Sequence, residues 1–339
     1  MKSLKIYLIT IPLALVWMFG CDKTPNSALS DEQLELSAIE ETALDEDNEY
    51  LLDWGVDDGD EANMYDGFAT FDLGKAMVPI NNVVRFGRKI ERRYPRTLII
   101  RRISQDSVLV ITERILEGKF VIFDQISENN SPSDTIGITR KPLKHSVKRH
   151  AIFVRKNSAD LTAVADPRLR FKLAGISLSR GESRPYNTIT IEQIDIRSEN
   201  GYSGSFDDPY RKIFNIPEDL PKFVRGEVVT VTAYVSNSTP NPVYIHSDPN
   251  ETETLLLHFG IGPRDRARKR FEFLGSENGV NKYQVTWRVR EPVRFPYHCV
   301  VDAIDNGTIY DNDNETYPYN STTLGFPYRV LLTEDTASQ

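Results

Sequence analysis

With 339 residues, 40 % of them hydrophobic, the chain is long enough for two domains and apolar enough to bury their cores. Its formal net charge of -8 argues against nucleic acid as a partner, because neutralising phosphates needs a basic surface. Two cysteines allow at most one internal disulfide.

Residues 1–20 read as a signal peptide. Lys2 and Lys5 make a positive start, and residues 6–18 carry no charge. That run suits a signal-peptide apolar core and is short for a membrane-spanning helix. Gly20 and Cys21 close it. A small residue and a cysteine after an apolar core resemble the lipobox of bacterial lipoproteins, where the thiol is diacylated and the chain is cut before it. Met18 and Phe19 depart from the usual leucine and small residue. The resemblance implies a lipid on Cys21, a membrane anchor and a place in the cell envelope, facing the periplasm or the exterior. Cys299 is then left without a disulfide partner. It alternates with Tyr297 and Val301, as a buried strand thiol would.

Residues 21–66 read as an acidic tether. Between Asp31 and Asp66 lie fifteen acidic residues and no Lys or Arg. Ser30 and Gln33 are spaced as a capping box for a short helix. Leu34, Ile39 and Leu44 are too sparse to give that helix a strong apolar stripe. Residues 57–61 read as a solvated acidic loop, with calcium binding as the alternative.

Residues 67–200 read as an α+β domain. Ile80, Val83, Val84 and Ile90 recur near helical spacing, with Arg85, Arg88 and Arg92 on another side. The pattern predicts an amphipathic helix, weakened by Gly87. Strands are predicted at 97–103, 107–112, 118–123, 146–154, 170–178 and 188–196. In the last, Ile189 and Ile191 fall on one face and Ile194 and Ile196 on the other. This order of elements, a helix on a curved antiparallel sheet, resembles the cystatin-like and nuclear-transport-factor-like cone folds. Residues 201–222, with Gly201, Gly204, Pro209, Pro217 and Pro221, read as an interdomain linker.

Residues 223–334 read as an all-β sandwich of immunoglobulin-like type. Tyr283, Val285, Trp287 and Val289 alternate with Gln284, Thr286, Arg288 and Arg290, placing Trp287 in the core. The polar stretch 302–319 stands between two predicted strands. Asp311, Asn312, Asp313 and Asn314 followed by Tyr317, together with Leu257, His258, Phe259 and Gly260, resemble starch- and glycogen-binding modules. Tyr310 stands where those modules often carry tryptophan. The resemblance implies a polysaccharide partner. Tyr310, Tyr317 and Tyr319 would stack on sugar faces, and Asn312, Asp313 and Asn314 would bond rim hydroxyls. The competing reading is a loop whose carboxylates cap its own turns while its tyrosines fold inward. Asp311, Asp313 and Glu315 also suggest a calcium site, although EF-hand spacing is absent.

Little points to catalysis. The five histidines show no zinc spacing, and Gly201–Gly204 is not a nucleophile elbow. The basic run 264–270 reads as a solvated loop, or as a contact for anionic lipid or acidic glycan. The expectation is a non-catalytic recognition lipoprotein. Its rivals are an envelope-assembly lipoprotein that binds a protein, and a hydrolase or isomerase with a pocket in 67–200.

Overall fold

A computed structural model describes residues 31–44, 65–66, 79–80, 83–126, 135–156, 171–245, 248–260, 267–292 and 297–332. The signal segment and Cys21 lie outside the described residues, as does most of the tether. Helix α1 spans Asp31–Leu44 and is followed by β1 (Tyr65–Asp66), β2 (Val83–Arg93) and β3 (Thr97–Arg102). Two long strands, β4 (Ser107–Ile126) and β5 (Thr135–Arg155), precede β6 (Phe171–Ser183) and β7 (Ile189–Ser198). Three short ones follow: β8 (Ser203–Phe206), β9 (Ile213–Asn215) and β10 (Lys222–Val224). Then come β11 (Val228–Asn237), β12 (Glu253–Phe259), β13 (Ala267–Arg270), β14 (Glu272–Glu277) and β15 (Val280–Arg288). The chain ends on β16 (Tyr297–Asp305), the short helix α2 (Asn306–Tyr310) and β17 (Ser321–Leu331).

The described residues are mostly β, and the helix expected around residues 80–92 is strand β2. Two register shifts against β4, between Val83 and Arg85 and between Ile90 and Arg92, break its alternation. Arg88 also points inward beside Phe86, so a charge occupies an apolar phase. Bulges and a buried arginine together imitate helical spacing. A similar slip alters β7. Tyr234 pairs with Gln193 and Val235 with Ile191, which leaves Glu192 as the extra residue. The phase changes there, and Ile189, Ile191, Ile194 and Ile196 all enter one core.

Twelve strands form one sheet along the path β1-β2-β4-β5-β6-β17-β16-β12-β13, with β3, β9 and β10 attached to β4, β6 and β17. The second sheet runs β14-β15-β11-β7-β8. Between the sheets lies the largest core, with Val229, Val231, Leu257, Trp287, Cys299, Phe326 and Tyr328 among its members. Trp287 and Cys299 thus sit in the core, as their alternation predicts.

The expected domain boundary does not separate the sheets. β6 pairs with β17 through Thr322 and Glu182, and β7 pairs with β11 through nine residue pairs. The stretch 201–222 is not a bare linker, because β8, β9 and β10 each pair with a longer strand. Its prolines and glycines bound short edge strands rather than freeing the chain. The tether is also partly structured. Ala38, Ile39 and Ala43 of α1 are buried, Ile39 and Ala43 in a cluster with Val110, Phe153 and Ile176, and Glu35 pairs with Arg102 and Arg155. Alanines supply the stripe that larger residues lacked.

The large sheet is curled. From β2 to β16 there are five strand-to-strand steps, which in a flat sheet span about 24 Å. Arg88 of β2 nonetheless bonds Asp302 of β16 at 2.8 Å. The sheet must roll over to bring them together.

A fragment starting at Pro209 would lose β6, β7 and β8. Its circular dichroism should show no cooperative melt, since β11 loses a partner and four isoleucines leave the core. A cooperative transition would show that the C-terminal strands are self-sufficient.

Candidate binding cleft and its buried support

The stretch after β16 folds back into the curl. Asp305 caps α2 by accepting from the Gly307 amide at 2.8 Å. Thr239 and Asn237 donate to its other oxygen at 2.8 and 3.0 Å. Lys141 of β5 donates to the Gly307 and Tyr317 carbonyls at 2.8 and 2.6 Å. Burial lowers this lysine to about 7, against the opposing pull of Asp311, Asp305 and Asp313. The Tyr317 ring lies against Gly307, where a Cβ would come within 2.2 Å of it.

This geometry corrects the aromatic platform. Tyr310, Tyr317 and Tyr319 are only 1, 2 and 3 % exposed. They pack with Phe86, Phe120, Ile122 and Leu143, and the Tyr317 hydroxyl donates to the Asn241 carbonyl at 2.7 Å. Rings so enclosed cannot stack on a sugar. The carboxylates close local turns. Asp311 accepts from the Asp313 amide at 2.8 Å, and Asp313 accepts from the Glu315 amide at 2.9 Å and the Thr316 hydroxyl at 2.6 Å. Among the described residues no three His, Cys, Asp or Glu side chains converge as metal ligands. Asp311, Asp313 and Glu315 therefore do not form the calcium cluster expected of them. Asn312 and Asn314 remain exposed.

Inside the curl lies a buried polar network that the sequence did not disclose. Arg88 grips Asp302 with two nitrogens, one on each oxygen. It also donates to the Tyr319 hydroxyl at 2.7 Å and the Ser321 hydroxyl at 2.8 Å. His258 lies 3.1 Å from Asp302, and His145 lies 3.1 Å from the Tyr319 hydroxyl. Burial by itself would raise Asp302, but the Arg88 charge and the bonds from His258 and Arg88 hold it well below the usual carboxylate range. His145 is lowered to about 3 by burial and then by the Arg88 charge. Asp302 stands between Ser321, whose hydroxyl donates to it at 3.0 Å, and His258. One sequence signal did exist. An aspartate inside the buried alternation of β16 requires a partner, because an unpaired charge is costly there.

At the mouth of this curl is a cavity of about 580 Å³. Tyr186, Tyr319 and three prolines, Pro142, Pro185 and Pro318, form its apolar surface. Arg92, Lys144, Arg184, Glu91, Glu117 and Asn314 supply the polar lining. Lys144 pairs with Glu117 at 2.9 Å, and Glu117 accepts from the Tyr94 hydroxyl at 2.8 Å. The Arg184 amide donates to the Lys144 carbonyl at 2.9 Å, tying the two sides of the rim. Of the six residues expected to hold a sugar, Asn314 and Tyr319 line this cleft, and Tyr310, Asn312, Asp313 and Tyr317 do not.

Two outcomes follow from the network. Arg88→Met should destabilise the protein by about 3–5 kcal/mol, because Asp302 is left buried without its partner. The double variant Arg88→Met/Asp302→Leu should recover much of that loss in urea melts. A single variant as stable as the parent would mean that the pair does not hold the curl. The second outcome concerns pH. His145 stays neutral in the fold down to about 3, whereas the unfolded chain protonates near 6.5. Its contribution is full above that ordinary value and fades as pH falls. Glu253 runs the other way. Burial raises it to about 7 against hydrogen bonds from Thr252, Asn281 and Tyr283. Its contribution is full below its ordinary 4.5 and is lost as pH rises through 7. Glu253→Gln should therefore remove a decline in urea midpoint between about pH 5 and 7.5. An unchanged pH profile would count against this role.

No protein-family model matches the chain, and no curated protein matches it. Among solved structures, it aligns with that of Astrotactin-2, a conserved vertebrate-specific and perforin-like membrane protein, at 7 % identity. That alignment covers 84 % of this chain and 74 % of the other, with a TM-score of 0.20. A structure of the SMP and paired C2 domains of Extended-Synaptotagmin 2 aligns at 7 % identity over 77 % of this chain and 90 % of the other, with a TM-score of 0.13. At such scores neither likeness bears on fold or function.

Proposed function

We propose that this is a lipid-anchored envelope protein that recognises a polysaccharide without acting on it, using the cleft beside Tyr319 and an immunoglobulin-like sandwich as its frame. The anchor reading rests on the lipobox-like Gly20 and Cys21. The observation that carries the ligand reading is the make-up of the cleft. The flat surfaces of the half-buried Tyr186 and of the prolines are ringed by an amide and by side chains of both charges. Pyranose C–H faces pack on such surfaces, and hydroxyls can both donate to Glu91 and Glu117 and accept from Arg184 and Asn314.

One observation favours a protein partner instead. β3 pairs only with β4 among the described strands, and its neighbourhood presents Ile99 and Ile103 at 48 and 58 % exposure. An open strand edge with exposed isoleucines is a pairing surface. An envelope-assembly role would use that edge and leave the cleft idle.

Cys21→Ala should release the protein from the membrane fraction or leave it unprocessed. An unchanged fraction with no lipid label on the parent would sink the anchor. The full mature chain should bind at least one member of a polysaccharide panel, in the micromolar to millimolar range. Arg184→Ala/Asn314→Ala should weaken that binding roughly tenfold at an unchanged melting temperature. No retention on any polysaccharide ends the glycan reading. Retention that survives the double variant moves the sugar away from this cleft.

A further inference from the structure

A second cavity, of about 530 Å³, lies where the β12–β13 edge of the large sheet meets β15 of the small one. Its apolar lining is Phe259, Trp287 and Pro292. The Phe259 and Trp287 rings are 6.1 Å apart and inclined by 32°. Lys269, Arg288 and Arg290 line it as well, all three exposed.

Among the described residues the charge here is unbalanced. Lys269 donates to the Thr286 carbonyl at 2.7 Å, and Arg288 to the Gly226 carbonyl. Carbonyls hold these side chains in place without neutralising them. No carboxylate pairs with Lys269, Arg288 or Arg290 among the described residues. Among the described residues the one acid in the lining is Glu291, buried and already engaged by the Tyr328 hydroxyl and the Arg290 amide, each at 2.8 Å. A second observation concerns Trp287. The residue is 3 % exposed, and its indole N–H has no hydrogen-bond partner among the described residues. A buried donor without an acceptor is costly, and natural structures leave few of them.

We propose that this cavity binds a small organic anion with a flat apolar body, such as an aromatic carboxylate. The apolar body lies against Phe259 and Pro292. The carboxylate faces Lys269, Arg288 and Arg290, next to the edge of the buried Trp287 ring. Among the described residues each part of such a ligand meets its counterpart: cations without a paired carboxylate, and the half-buried Phe259 ring with Pro292 beside them. The site is separate from the cleft beside Tyr319 and does not depend on the glycan reading. In that cleft acids and bases alternate, whereas here the accessible charge is positive.

The test uses 2-naphthoate and its uncharged analogue, 2-naphthamide, with the full mature chain. Trp54 and Trp287 are the tryptophans beyond residue 20, so the indole N–H region of a nitrogen-15 spectrum holds two signals to watch. The Trp287 signal, assigned by its loss in Trp287→Phe, should shift saturably with 2-naphthoate. 2-Naphthamide should bind at least tenfold more weakly. Lys269→Glu/Arg290→Glu should weaken 2-naphthoate roughly tenfold or more with the melting temperature unchanged, since both side chains are exposed. If Trp287→Phe fails to fold, the signal displaced by the charge-reversal pair still identifies the site. Equal binding of the acid and the amide would overturn the proposal. So would full affinity in the charge-reversed variant, or the absence of any saturable shift.

Discussion

Arg88 and Asp302 are 214 residues apart in sequence and five strands apart in the sheet, yet they meet as a two-point ion pair inside the curl. Two charges lose their hydration there, and attraction alone need not repay that loss. What makes the pair tenable is its surroundings. Tyr319 and Ser321 take two further guanidinium donors, while His258 and Ser321 share the carboxylate. A network satisfied in this way has one geometry, and that geometry exists only when β2 folds back over β16. The pair therefore specifies the curl more than it adds net stability.

The rest of the inner face follows from that closure. Once rolled, the sheet encloses a space that β2, β4, β5, β16 and β12 line from several sides, and the stretch 306–319 fills one end of it. Its backbone needs partners, and Lys141 supplies them by bridging the Gly307 and Tyr317 carbonyls. The tyrosines then serve as packing, the Tyr317 hydroxyl donating to the Asn241 carbonyl and the Tyr319 hydroxyl accepting from the arginine itself. Only the rim of this filled end meets solvent, and there the cleft beside Tyr319 forms.

The two cavities differ in a way that fits different ligands. The cleft at the curl offers donors and acceptors of both signs around flat surfaces, the requirement of a neutral polyhydroxylated chain. The cavity at β13 and β15 offers positive charge beside an aromatic wall, the requirement of an organic anion. Glu91, Arg92, Glu117 and Lys144 of the first and Phe259, Lys269, Trp287 and Arg288 of the second stand on strands, so sheet register fixes that part of each lining before any ligand arrives.

The sequence by itself determined the strands whose two faces differ. Tyr283, Val285 and Trp287 are buried while Lys282, Thr286 and Arg288 are exposed, because a period of two is a local property of the strand. Cys299 was legible for the same reason. Strand β2 was not, since its bulges and the inward Arg88 disturb the period, and the partner that makes an inward arginine acceptable lies on β16. The pairing across residue 200 was not legible either, because β6 and β7 look like the end of one unit until their hydrogen bonds to β17 and β11 are seen. The tyrosines of 310–319 mark the limit most plainly. A tyrosine suits a sugar platform and a core equally well, with an apolar ring and one polar atom. Which role it takes depended on Phe86, Phe120 and Leu143, brought to it from more than 150 residues away, and only the rolled sheet could deliver them.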